Sequence, residues 1–240
     1  MSRPDLLLWV ALPYVAATVF VVGHIWRYRH DQVGWTARST QLLERRRLRA
    51  AVLLFHVGFL MVLGGHVLGI LVPASVTSAL GLSEHHYHQV SVTAGTIAGV
   101  LMGAGLLLLA VRRGTHAAVR VTTTNVDRLV YLLLALMLIT GMVATVGKNL
   151  LGGGYDYRAT VAPWFRGLLT LHPDTAAISG APLVYRLHTI VGWLLILLWP
   201  FSRLVHAWSV PLSYPVRSAI LYRSRRRTPL VPARDMTTAP

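Results

Sequence analysis

The 240-residue chain contains no cysteine. That absence excludes cysteine-ligated iron–sulfur clusters, covalently attached c-type haem, thiolate zinc sites and disulfides from this chain. Any metal chemistry falls to eleven histidines, the carboxylates and methionine. Carboxylates are scarce too: 8 Asp and Glu stand against 23 Lys and Arg, a formal net charge of +15. Such an excess would suit nucleic acid if it formed one soluble basic face. Here the basic residues fall between apolar runs, where membrane topology puts them, and a nucleic-acid partner is rejected. Also missing is a charged n-region followed by a short apolar core and a small-residue cleavage site. The first apolar run, Leu6 to about Trp26, is therefore expected to stay as an anchor.

What is present is apolar. Hydrophobic residues make up 54% of the chain and mean hydropathy is +0.55. Runs near twenty residues recur, long enough at about 1.5 Å per residue to cross a hydrocarbon core of roughly 30 Å. The reading is an all-α polytopic membrane protein, a single domain over residues 1–240 embedded in a lipid bilayer. Five transmembrane helices are expected at about Leu6–Trp26, Ala50–Val72, Val90–Val111, Leu129–Val146 and Leu187–Val205, with a basic tail over about 209–240.

Charge alternates between the connections. Trp26 to Arg49 carries Arg27, Arg29, Arg38, Arg45, Arg46, Arg47 and Arg49, whereas Pro73 to Gln89 has no Lys or Arg. Arg112 to Arg128 is basic again, and the tail includes Arg225, Arg226 and Arg227. By the positive-inside rule the N-terminus is outside and the C-terminus cytoplasmic, as an odd number of spans requires. In the long outer connection, the apolar stretch near Trp164–Leu171 is too short to cross and is expected at the interface.

Two histidines fall within the last apolar stretch, RLHTIVGWLLILLWPFSRLVHAW at Arg186–Trp208: His188 near one end and His206 near the other. Eighteen residues part them, five turns at about 3.6 residues each, so both imidazoles are expected to project from one face. The second span supplies His56 and His66. Because these two spans run antiparallel, His56 is expected beside His206 and His66 beside His188. Ionisable side chains at membrane depth usually mark function, and neutral imidazole is a common axial ligand of haem iron. The plainer alternative, four separate buried histidines bonded to carbonyls, does not account for a two-and-two placement. One mismatch stands. The rises, about 15 Å for His56–His66 and about 27 Å for His188–His206, are unequal and call for tilt. Gly58, Gly64, Gly65 and Gly192 flank the histidines and could clear a flat macrocycle or merely let helices pack. Arg203, three residues before His206, and Arg112 at the end of the third span are candidate partners for haem propionates, though topology alone also puts Arg there.

Glu84-His85-His86-Tyr87-His88 reads as a surface segment, a quinol site or a metal site, in that order. His24, His30, His116 and His172 have no assigned partner.

Three stretches carry a family resemblance: R-L-H…W-P-F-S-R-L-V-H-A-W-S-V-P at Arg186–Pro211, L-F-H-V-G…G-G-H…G at Leu54–Gly69, and V-R-V-T-T-T at Val119–Thr124. Arg27-Tyr28 and Trp35 fit as well. With them the chain resembles, over nearly its whole length, the gamma subunit of respiratory nitrate reductase, a membrane cytochrome b. The resemblance implies two haem b, with His66 and His188 holding the outer one and His56 and His206 the inner. It implies quinol oxidation near the outer face of a prokaryotic inner membrane. Electrons would then pass to an iron–sulfur beta subunit and a molybdenum alpha subunit on the cytoplasmic side, where nitrate becomes nitrite. Gly65 and His66 border the family's quinol pocket. A lysine that relatives use there is absent, and His86 falls at about its position. The rival readings are a quinol-oxidising di-haem anchor of another reductase, such as a sulfur-metabolising one, and a haem-free helical transporter.

Overall fold

A computed structural model of the chain describes residues 3–31, 34–40 and 46–208. The chain divides into two units, Met1–Ser209 and Val210–Pro240. The second lies outside the described residues, and with it the basic tail expected over about 209–240. The described residues form helices and no strands, and five of the helices are long and apolar enough to cross a bilayer. They are α1 (Arg3–His30), α2 (Leu48–Leu71), α3 (Glu84–Thr115), α4 (Asn125–Leu150) and, after a short helix α5 (Val161–Leu169), α6 (Leu183–Phe201).

Local chemistry explains why the helices outrun the apolar runs that mark them. α3 begins six residues before the hydropathy signal because Ser83 caps it, its hydroxyl accepting the His86 amide at 3.3 Å. α4 begins early as well, at a capping box in which Thr124 and Asp127 satisfy each other's amides. Polar first turns of this kind are invisible to hydropathy.

The most extensive packing is of α2 on α3; α4 packs on α6, α6 also on α1, and α3 more lightly on α4. The α2–α3 crossing is close because glycine is on both sides of it. A Cβ on Gly58 would lie 2.8 Å from the Ala98 carbonyl oxygen, and one on Gly105 would lie 2.7 Å from the Phe55 Cα. By contrast α2, which carries His56 and His66, and α6, which carries His188, make little direct backbone approach to each other. Met102, Leu106, Val130, Leu133, Leu134 and Leu195 form the core between α3, α4 and α6. A second cluster joins Trp9, Trp164, Leu168, Ile178 and Tyr185. There α5, which overlaps the stretch Trp164–Leu171 expected to lie at the interface, turns its apolar face to the protein. The Trp164 indole N–H donates to the Trp9 carbonyl at 3.0 Å, and the two rings meet edge to face.

The last span departs from the single helix expected over Leu187–Val205. α-Helix ends at Leu198, Trp199–Phe201 is a 3₁₀ turn, Ser202 is extended (φ −115°, ψ −178°), and Arg203–Trp208 is again 3₁₀. Pro200 causes the break, since it has no N–H to continue the ladder. Ser202 secures it: its hydroxyl donates to Trp199 O at 2.9 Å and accepts Leu204 N at 3.1 Å. From α1, buried Arg27 donates to Pro200 O at 2.7 Å and Ser202 O at 2.9 Å, while Gly23 lets the Pro200 ring approach. Arg27→Met would orphan both carbonyls, at about 1–3 kcal/mol each. A clear fall in the thermal unfolding midpoint of the detergent-solubilised protein is the expected result.

Candidate functional site

The break disposes of the unequal rises. His188 to Leu198 is ten helical residues, the same number that part His56 from His66, and the eight that follow leave the α-helical ladder. His206 comes level with His56 for that reason, and the five-turn argument for a shared face does not apply. The structure sets His56 and His206 with ring centres 6.0 Å apart and planes at 68°, and His66 and His188 at 5.9 Å and 23°.

Each of the four rings is tied through Nδ1. His56 reaches Val52 O at 2.8 Å, His66 Val62 O at 2.8 Å, and His206 Arg203 O at 2.6 Å. A carbonyl can only accept, so Nδ1 carries the proton and Nε2 keeps a lone pair. His188 reaches the Thr140 hydroxyl at 2.9 Å. That hydroxyl donates its single proton to Leu136 O at 2.7 Å, so it too accepts from Nδ1. Anchoring one ring nitrogen and freeing the other is how proteins prepare a metal-ligating histidine. A metal–imidazole bond of about 2.0 Å on each side, plus roughly 1.1 Å from nitrogen to ring centre, places two axial imidazoles about 6.2 Å apart. The ring-centre separations of both pairs match that figure.

Space fits as well. A Cβ on Gly64 or Gly65 would meet no atom within 4 Å, so the helix face next to His66 is open. Gly58, by contrast, serves the α2–α3 crossing, and Gly192 makes ordinary contact with Met137. Gly141 lies against His188, where an added Cβ would come within 3.2 Å of Cε1.

The Nδ1 pattern alone is not diagnostic. His24, His30 and His172 share it, bonded to Phe20 O, Trp26 O and Thr170 O. His24 and His30 have aromatic ring neighbours instead of a facing imidazole. His85 and His86 also lie 6.0 Å apart, but as sequence neighbours on one turn.

The two arginines expected at propionates are engaged within the protein. Arg112 is buried and donates to Thr40 Oγ1 and O at 2.8 and 3.0 Å. Arg203 grips Asp127 with Nε at 2.6 Å and Nη2 at 2.8 Å, and also donates to Arg38 O and Thr122 O. Sequence reasoning passed over Asp127, the sole acid between Arg112 and Arg128. Its isolation in a basic stretch, three residues after a threonine, was the available signal. It also explains V-R-V-T-T-T. The motif turns the chain so that Thr122 O meets Arg203, Thr123 Oγ1 meets Arg113 and Thr124 caps α4.

At the opposite end a cavity of about 480 Å³ is lined by Glu84, His85, Tyr87, His88, Tyr157 and Arg158, among others. Arg158, buried, binds Glu84, Thr77 Oγ1 and Val72 O and stacks 3.9 Å over the Tyr87 ring. His86 is exposed, with Nδ1 at 2.9 Å from Ser83 Oγ, and does not line this cavity. Among the described residues no group of three or more His, Asp or Glu gathers as a metal site.

Among the described residues, then, helices long and apolar enough to span a membrane bring two imidazole pairs together at two levels, an arrangement suited to a membrane cytochrome. Residues 5–225 match the family model for the nitrate reductase gamma subunit, and the chain belongs to that family. It is 46% identical over 219 residues to the nitrate reductase gamma chain of Bacillus subtilis, covering 91% of this chain and 98% of that one. To the respiratory nitrate reductase 1 gamma chain of Escherichia coli it is 36% identical, covering 89% and 94%. The nitrate reductase-like protein NarX of Mycobacterium tuberculosis is 46% identical over 91% of this chain, which spans 34% of that longer protein. Family membership makes the chain a membrane electron-transfer subunit of a nitrate reductase, an oxidoreductase.

Proposed function

We propose that the chain is the di-haem b subunit that oxidises quinol for a respiratory nitrate reductase. The observation that carries this is the pair of facing imidazoles at each level, every Nδ1 tied and every Nε2 free. His66 and His188 would hold one haem and His56 and His206 the other, each through two imidazoles. Haem so ligated supplies one-electron transfer and leaves no iron position for oxygen.

Sidedness follows from charge. Arg27, Arg29, Arg38, Arg113 and Arg120 flank the His56–His206 end, which is read as cytoplasmic, and Pro73–Gln89 at the other end has no Lys or Arg. The N-terminus is then outside the cytoplasmic membrane of a prokaryote and the C-terminus inside. Quinol would be bound beside the open face at Gly65 and His66, with a histidine near the start of α3 taking its proton. Electrons would leave at the basic end to an iron–sulfur subunit and thence to a molybdenum subunit that reduces nitrate.

A pyridine haemochrome assay on the purified chain tests the cofactor reading, and two haems per chain is the expected value. His86 falls where relatives carry a lysine, and it is one candidate to take the quinol proton. His85 and His88 line the cavity and His86 does not; of the two, His88 is the less exposed, and its ring lies 3.8 Å from where a Gly154 Cβ would be. His88→Ala is expected to slow haem reduction by quinol by about a hundredfold, the usual weight of a general base, with both haems retained. His86→Ala is expected to slow it less. The reverse order in stopped-flow reduction would return the role to His86.

A further inference from the structure

The Asp127 carboxylate is buried at the His56–His206 end, 5% exposed. Oδ1 accepts Arg203 Nε at 2.6 Å, and Oδ2 accepts Arg203 Nη2 at 2.8 Å and the Thr124 amide at 2.9 Å. Arg113 Nη1 stands 3.7 Å away. Two parallel N–H···O bonds fix a guanidinium in plane as well as in place. Arg203 Nη1 and Nη2 then reach Arg38 O at 2.8 Å and Thr122 O at 2.9 Å. Residue 203 is thus clamped by its side chain on three sides.

That clamp bears on His206 through the backbone. His206 Nδ1 donates at 2.6 Å to the carbonyl of Arg203 itself. Its partner His56 donates to Val52 O inside an unbroken helix, where the ladder holds the carbonyl. No such ladder precedes Arg203, because Ser202 is extended. His56 thus hangs on the interior of a long helix, whereas His206 hangs on the first residue of a short 3₁₀ turn, whose entry is held by the side chain of that same residue.

We propose that Asp127 is a positioning residue for His206: by holding Arg203 it fixes the carbonyl that orients the imidazole, and so tunes the redox potential of the haem held there. This rests on the haem reading above. Two effects have the same sign when the carboxylate is removed. Arg203 and Arg113 lose their counter-charge, and uncompensated positive charge nearby favours the reduced iron. A slackened Nδ1–H···O bond leaves a less basic ligand, which stabilises ferric iron less.

The test is potentiometric titration and ferric low-spin EPR of the purified holo-complex, with Asp127→Asn beside Thr124→Ala. The EPR position responds to the angle between the axial imidazole planes, so it reads orientation directly. Asp127→Asn should raise the potential of the His56–His206 haem and move its EPR signal, leaving the other haem unchanged. Thr124→Ala removes the capping hydroxyl without touching Arg203 and should move neither haem. An unmoved signal in Asp127→Asn, or an equal shift in Thr124→Ala, overturns the proposal. Should Asp127→Asn hold no haem at all, Asp127→Glu decides. It keeps the charge on a longer arm, so a shift confined to the His56–His206 haem supports the proposal, and wild-type signals or loss of both haems overturn it. A wild-type complex without haem sinks the cofactor reading itself, whereas two haems with an indifferent Asp127→Asn sinks this inference alone.

Discussion

His56→Ala and His206→Ala are each expected to yield a chain with one haem, the same one in both, and His66→Ala and His188→Ala a chain with only the other. The expectation follows from pairing across levels: each iron would be held by one residue of α2 and one from the α6 chain, so either loss leaves a single axial ligand. Ring centres at 6.0 and 5.9 Å leave room for one iron per pair. The alternative within-helix pairs are ten and eighteen residues apart, about 15 Å in the first case, and no single iron spans that. Haem content by pyridine haemochrome, with redox-difference spectra to identify the survivor, checks it. Two retained haems in any of the four variants would undo the pairing.

The second large effect separates two kinds of glycine on one helix. Gly58→Leu should prevent the folded chain from accumulating, because its Cβ alone would press on the Met102 backbone and lie 2.8 Å from Ala98 O. Backbone cannot yield as a side-chain tip can, so the cost stands at or above the usual 1–3 kcal/mol of overpacking. Gly65→Leu should instead fold normally, since a Cβ there meets nothing within 4 Å, yet lose haem from the His66–His188 pair or quinol access to it. Membrane yield and haem content measured together distinguish the two. Equal yields for both variants would show that the α2–α3 crossing is more yielding than its geometry implies.

Much of this arrangement was legible in the sequence. Apolar run lengths marked five helices, and antiparallel spans were enough to set His56 with His206 and His66 with His188. Two things were hidden. The mismatch in rise came from treating Arg186–Trp208 as one helix, although W-P-F-S was in plain view. Proline lowers the odds of continuing a helix but does not say where the chain goes next; that depends on Arg27, some 170 residues earlier in the chain. Arg203 likewise looked like a free cation near a membrane face. Its partner Asp127 lies 76 residues away, and no local pattern reports a contact formed only when α4 and the end of α6 meet. The same holds for Thr140, whose hydroxyl sets the tautomer of His188 from another helix.

The break after Leu198 has a consequence for how the molecule tolerates change. α2 is unbroken between its two histidines, so it acts as a ruler: one inserted residue there would turn one imidazole by about 100° and raise it by about 1.5 Å relative to the other. The segment from Trp199 to His206 is no such ruler: its course is set by contacts from other helices, with Arg27 holding the Pro200 and Ser202 carbonyls and Asp127 holding Arg203. Its reach to His56 therefore depends on where those partners sit and not on a fixed rise per residue. The spacing of the two levels is therefore written in one helix, and the other is tailored to meet it.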